Sequence, residues 1–153
     1  MPRLNNFIKD FQKDHSKLLG LISSFRKTME SLHLPKARKI LDEIDTITNG
    51  HFNFEEIYLY PRLRRLVLET TQNLHKEQQT TRGFISKSRG LLEKNKLTRF
   101  EISNILDMVS RLSKLFKDCD NLVFLVDKFN ERDKKDLNKR FRDCCKTKRL
   151  VTA

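Results

Sequence analysis

Apolar residues along the chain recur at three- and four-residue intervals, the spacing that keeps one face of an α-helix in a core. From about Leu4 to Ser31 the repeat is carried by Phe7, Phe11, Leu18, Leu21, Ile22 and Phe25. It breaks at His33-Leu34-Pro35, where Pro35 suits the first turn of a following helix because no amide hydrogen is needed there. The second repeat runs through Ala37, Ile40, Leu41, Ile44 and Ile47 into His51-Phe52-Asn53-Phe54-Glu55-Glu56. Pro61 is expected to kink or end that helix within about a turn.

A third helix is expected from about Leu66 to Glu93, followed by a turn at Lys94-Asn95-Lys96-Leu97. Thr98-Arg99-Phe100-Glu101 reads as a capping box, in which the Thr hydroxyl accepts from the third amide and the Glu side chain reaches back. The fourth helix carries Phe100, Ile102, Ile105, Leu106, Val109, Leu112, Leu115 and Phe116 and continues to about Phe129. Asn130 is placed to cap a short final helix, Glu131 to Asp143. Only 4 Gly and 3 Pro interrupt the 153 residues, which favours long helices and short turns. The expectation is an all-α, up-down-up-down four-helix bundle over residues 1–130, followed by a short basic helix and tail over 131–153.

Composition adds a bias. With 32 Lys and Arg against 20 Asp and Glu, the formal charge is 32 − 20 = +12. Such a surplus suits an acidic partner, and equally a soluble basic cytoplasmic protein. The last segment, with Arg132, Lys134, Lys135, Lys139, Arg140 and Arg142, reads first as a solvated terminal helix and second as an electrostatic contact surface. Cys119, Cys144 and Cys145 are an odd number without CxxC spacing, which suits reduced thiols rather than a disulfide framework or a thiolate zinc site. Cys119, three residues after Phe116, reads first as a small buried hydrophobe and second as a residue approaching a site at that level of the fourth helix. No apolar leader opens the chain and no apolar run is long enough to span a bilayer.

Histidine is scarce, and its placement is informative. In an up-down bundle, residues on adjoining helices share a level when the turn falls midway between them. His15 and His51 are centred on residue 33, in the first break. His51 and His75 are centred on Leu63, just past Pro61, and His75 and Asp120 on the turn near residue 97. The legs run from about 18 Å for 12 residues to roughly 33 Å for 22 at the helical rise. The four side chains therefore share one layer, and Glu55, four residues after His51, joins its face. Asp120 stands four residues after Phe116, repeating that spacing with Phe in place of His. Imidazoles and carboxylates gathered in a bundle core make a metal site.

These residues also carry a resemblance. His51-Phe52-Asn53-Phe54-Glu55-Glu56-Ile57-Tyr58-Leu59-Tyr60-Pro61 resembles the signature of the hemerythrin-like (HHE cation-binding) domain family. Asp14-His15-Ser16-Lys17-Leu18 is similar to the family's first His motif, Leu74-His75-Lys76 to its third-helix His, and Asp120-Asn121-Leu122-Val123-Phe124 to a worn second signature. The resemblance spans about residues 5 to 130. It implies a non-haem di-iron centre of histidines with two bridging carboxylates. His15 and His51 match ligands of one iron, Glu55 and Asp120 the bridges, and His75 a ligand of the second iron. The other two positions of that second iron hold Gln79 and Phe116 here.

The implied function is non-haem metal binding, iron first and manganese or zinc next, as one or two ions. It is directed to sensing or storage rather than oxygen carriage, with O₂ or another small diatomic molecule as a further ligand. The alternative is a metal-free family member acting as a basic protein- or nucleic-acid-interaction module. An enzyme using the iron for oxidation or peroxide chemistry is a third, weaker reading, since there is no phosphate-binding Gly loop and no nucleophile elbow. Taken singly, the residues have plainer readings: His15 as a surface His beside Asp14, His75 as a boundary residue, Glu55 as part of a solvated face, Asp120 as part of an acidic stretch. His33, in the first turn, is expected in solvent.

Overall fold

The computed structural model describes the backbone of residues 2–146 and the side chains of residues 8–145. Phe7, and the basic positions Lys146, Lys148 and Arg149, lie outside the described side chains. Four long helices form the bundle: α1 (Pro2–Glu30), α2 (Leu34–Phe54), α3 (Leu68–Leu92) and α4 (Arg99–Val123). A fifth, α5 (Glu131–Phe141), follows a 3₁₀ turn at Phe124–Lys128. Helix α1 packs on α2 and α4, and α3 packs on the same two, so the helices alternate in direction around a square core. Among the described residues there is no strand, and no helix is long and apolar enough to cross a membrane.

The turns follow local chemistry. Helix α1 ends in a Schellman motif: the Leu32 amide donates to Met29 and the His33 amide to Thr28, each at 3.1 Å. Leu32 pays for this with a φ of 57°, a conformation that glycine usually supplies. His33 is exposed, and its Nδ1 caps α2 by accepting from the Lys36 amide at 3.3 Å. The capping box at α4 is present in both halves, Glu101 N–H to Thr98 at 3.1 Å and Thr98 N–H to Glu101 at 2.9 Å.

Pro61 acts earlier than its own position. The helix widens into a π-helical stretch, Glu55–Leu59, before a last α-turn at Tyr60–Leu63. Pro61 would clash with the carbonyl four residues back in a regular helix, and the wider turn relieves it. The Tyr60 amide accordingly bonds the Glu55 carbonyl, five residues away. Residues five apart point in different directions on an α-helix. The bulge turns Tyr60 back to the Glu55 side.

The terminal segment corrects the expectation of a merely solvated helix. Asn130 caps it as expected, accepting from the Asp133 amide at 2.8 Å. Leu137 and Phe141, however, are buried in the common core. Arg62, at the end of the second helical run, donates to Asp133 and Asp136 and fixes α5 in place. The chain then closes over α2: a Cβ at Gly50 would stand 3.0 Å from the Cys144 carbonyl oxygen, a contact that would push the terminal backbone away by a few tenths of an ångström.

Candidate metal centre

Helix α1 contributes Asp14 and His15, α2 contributes His51, and the first residue of the π stretch is Glu55. All four are buried. One donor atom from each of His15, His51 and Glu55 lies within 4.8 Å of the others, and the two imidazole centroids are 5.0 Å apart. The helical turn between His51 and Glu55, and the symmetric turn at residue 33, bring these three together as the spacing predicts.

Each imidazole has a carboxylate on one nitrogen. His15 Nδ1 meets Asp120 Oδ1 at 2.7 Å, and His51 Nε2 meets Asp14 Oδ2 at 2.9 Å. An ionised carboxylate only accepts, so those nitrogens carry protons. The remaining nitrogens, His15 Nε2 and His51 Nδ1, are buried with no hydrogen-bond partner. His15 Nε2 is 3.8 Å from Glu55 Oε1, an ion-pair distance but too long for a hydrogen bond. Buried polar atoms are seldom left unpaired, and two on adjacent rings beside a carboxylate form a donor set for a cation.

The electrostatics agree. Burial works to lower the pKa of His15, but the hydrogen bond to Asp120 and the charge of Glu55 outweigh it and raise the pKa above 6.5. A positive charge is therefore favoured at a fully buried position. His51 goes the other way, to about 3, first through burial and then through repulsion by His15. It stays neutral, the form in which imidazole is a ligand.

Glu55 is held from its other side by groups that the sequence reading missed or took as apolar. Its Oε2 accepts from the Tyr60 hydroxyl at 3.3 Å and from the Gln78 amide, which also reaches the Tyr60 oxygen at 2.7 Å. Its Oε1 accepts from the Cys119 thiol at 3.3 Å. Burial, and then the charge of Glu55, push the pKa values of Tyr60 and Cys119 well above their ordinary ranges, so both remain donors. Cys119 is thus a hydrogen-bonding member of the site rather than only a small hydrophobe. Gln78 had a signal: it lies four residues after Leu74 and seven before Ile85, on the buried seam of α3.

The remaining expected positions do not join the group. His75 is half-buried against the Tyr60 ring, with 6.5 Å between centroids; its Nδ1 is also buried without a hydrogen-bond partner, but it lies outside the His15–His51–Glu55 cluster. Asp120 is partly exposed and bonds His15. Gln79 is exposed and donates to Glu56 at 3.1 Å. Phe116 is buried with its ring 4.9 Å from His15.

A model of the hemerythrin HHE cation-binding domain matches residues 6–118. The chain belongs to this family. The match spans all four bundle helices and includes His15, His51, Glu55 and His75, ending just before Cys119 and Asp120. No curated protein and no solved structure matches the chain. For this HHE-domain protein, the buried imidazole–carboxylate cluster lies within the matched residues.

Proposed function

We propose that this hemerythrin-family protein binds one divalent cation, iron(II) in the first place, through His15 Nε2, His51 Nδ1 and Glu55 Oε1. Two imidazoles and a carboxylate on one side of an ion are the donor set of non-haem iron sites, and manganese or zinc suits the same atoms. The observation that carries the reading is a pair of buried imidazoles, each with an unpartnered nitrogen, clustered with a buried carboxylate. Bound iron would supply a redox-active centre with open positions for a small ligand.

The chain's own residues set up those atoms. Asp120 and Asp14 fix the tautomer and orientation of the two rings, as outer-sphere carboxylates do for metal-binding histidines. Tyr60 and Gln78 occupy Glu55 Oε2, which directs the other oxygen toward the imidazoles. Their hydrogen bonds stand where a second ion would need an open carboxylate oxygen, so Glu55 serves as a terminal ligand rather than a bridge. With His75 apart from the cluster and Phe116 supplying no donor, the site is mononuclear. Reversible O₂ carriage of the di-iron kind does not fit it, and sensing or storage of the cation does.

Anaerobic Fe(II) titration of protein purified without a metal-binding tag tests the reading. One equivalent is expected, lost in Glu55→Ala and kept in His75→Ala. No uptake above background would refute it and leave the metal-free interaction module as the better account.

A further inference from the structure

The second nitrogen of His51 faces another donor group. Asp14, His51 and Cys145 each place a ligand-type atom within 4.8 Å of the others, and all three side chains are buried. The fold delivers Cys145 here deliberately from far along the chain. Helix α5 seats Phe141 edge-on against His51, with centroids 5.5 Å apart, and the π-helical turn Arg142–Lys146 then lies on Gly50. Neither Asp14 nor Cys145 belongs to the His15–His51–Glu55 set.

We propose that Asp14, His51 and Cys145 form a second cation site, selective for a thiophilic zinc-class divalent ion, that competes with the first for His51. Thiolate, imidazole and carboxylate are the ligands zinc takes, with bonds of about 2.0–2.3 Å. Tetrahedral bonds of that length put donor atoms roughly 3.5 Å apart, so closing the cluster from 4.8 Å or less shortens a separation by about 1.3 Å at most. Binding releases one proton, from the Cys145 thiol. Asp14 binds as its carboxylate, and the His51 proton moves from Nε2 to Nδ1, so that Nε2 offers its lone pair to the ion. With Nδ1 protonated, His51 no longer has a lone pair for the first site. The competition rests on the mononuclear reading above; the thiolate site does not.

Cobalt(II) is the probe, titrated into the reduced full-length chain. A near-ultraviolet thiolate-to-cobalt charge-transfer band is expected to saturate at one equivalent. It should persist in His15→Ala and Cys119→Ser and vanish in Cys145→Ser and Asp14→Asn, with far-ultraviolet circular dichroism confirming that the variants are folded. Preloading with one equivalent of Zn(II) should weaken Fe(II) uptake at least tenfold in the unsubstituted protein and leave it unweakened in Cys145→Ser. Absence of the band in the unsubstituted protein, or its survival in Cys145→Ser, overturns the site. Undiminished Fe(II) uptake after zinc loading overturns the competition. If the unsubstituted protein takes up no Fe(II) but gives a Cys145-dependent band, the thiolate site stands and the iron reading falls.

Discussion

His15 and His51 lie ring against ring yet hold protons in opposite ways: at His15 the hydrogen bonds and charges of Asp120 and Glu55 overcome burial, while at His51 burial and repulsion by His15 outweigh the charges of Glu55 and Asp120. The consequence is a pH dependence in the metal-free protein. Unfolded, His51 takes up a proton near 6.5; folded, only near 3. Between these values the unfolded chain binds more protons, so stability falls as pH falls through this window. His15 acts in the opposite sense: its contribution is complete below the unfolded value and lost as pH rises through its raised folded value. Urea midpoints measured from pH 7 to pH 4 should therefore fall in the unsubstituted chain, with the slope reduced in His51→Phe. The outer carboxylates have their own signature. Asp14→Asn and Asp120→Asn should each weaken Fe(II) affinity about 10–100-fold without abolishing it, as read by competition with a chelator. Among site residues, His15, His51 and Glu55 were legible because helix rise and the positions of turns determine their level. Asp120 shares that level, but its attachment to His15 Nδ1 depends on side-chain direction, which spacing does not encode.

The elements carry a second group of consequences. Leu32 adopts a left-handed conformation and is 58% exposed, so its side chain contributes little packing to offset the strain. Leu32→Gly should stabilise the protein by about 1 kcal/mol, seen as a higher melting temperature. Gly50→Ala should do the reverse, because its methyl group meets the Cys144 carbonyl. Limited proteolysis should then cut the terminal segment sooner, while the bundle remains intact. The long helices were legible in the sequence, and so were both side-chain caps at Thr98 and Asn130, since these depend on neighbours in the chain. Helix α3 was the hardest to delimit because its buried seam is half polar: Thr71, Gln78, Thr81 and Ser88 share it with Leu74, Ile85 and Leu92. That same polarity hid Gln78, since the family spacing pointed to its neighbour Gln79. The π stretch was signalled only by Pro61, whose effect falls in the preceding turn.

Across the whole molecule, the terminal helix joins the two themes of core and site. Phe141 contacts the rings of Phe11, His51 and Phe54, with centroids 5.9, 5.5 and 5.3 Å apart. Local periodicity could not reveal this, because the contacts link the end of the chain to α1 and α2. Phe141→Ala should cost about 3–5 kcal/mol in urea unfolding and open His51 to solvent. Two of the segment's own carboxylates, Asp133 and Asp136, are engaged by Arg62, a cation from outside it. The central proposal is a single ion between α1 and α2, where an imidazolium is favoured in the absence of metal and two ring nitrogens stand unpaired. Diffraction from crystals grown with excess Fe(II), recorded at the iron absorption edge, tests this most directly. One anomalous peak among His15, His51 and Glu55 is the predicted result; a second peak beside His75, or none at all, would contradict it.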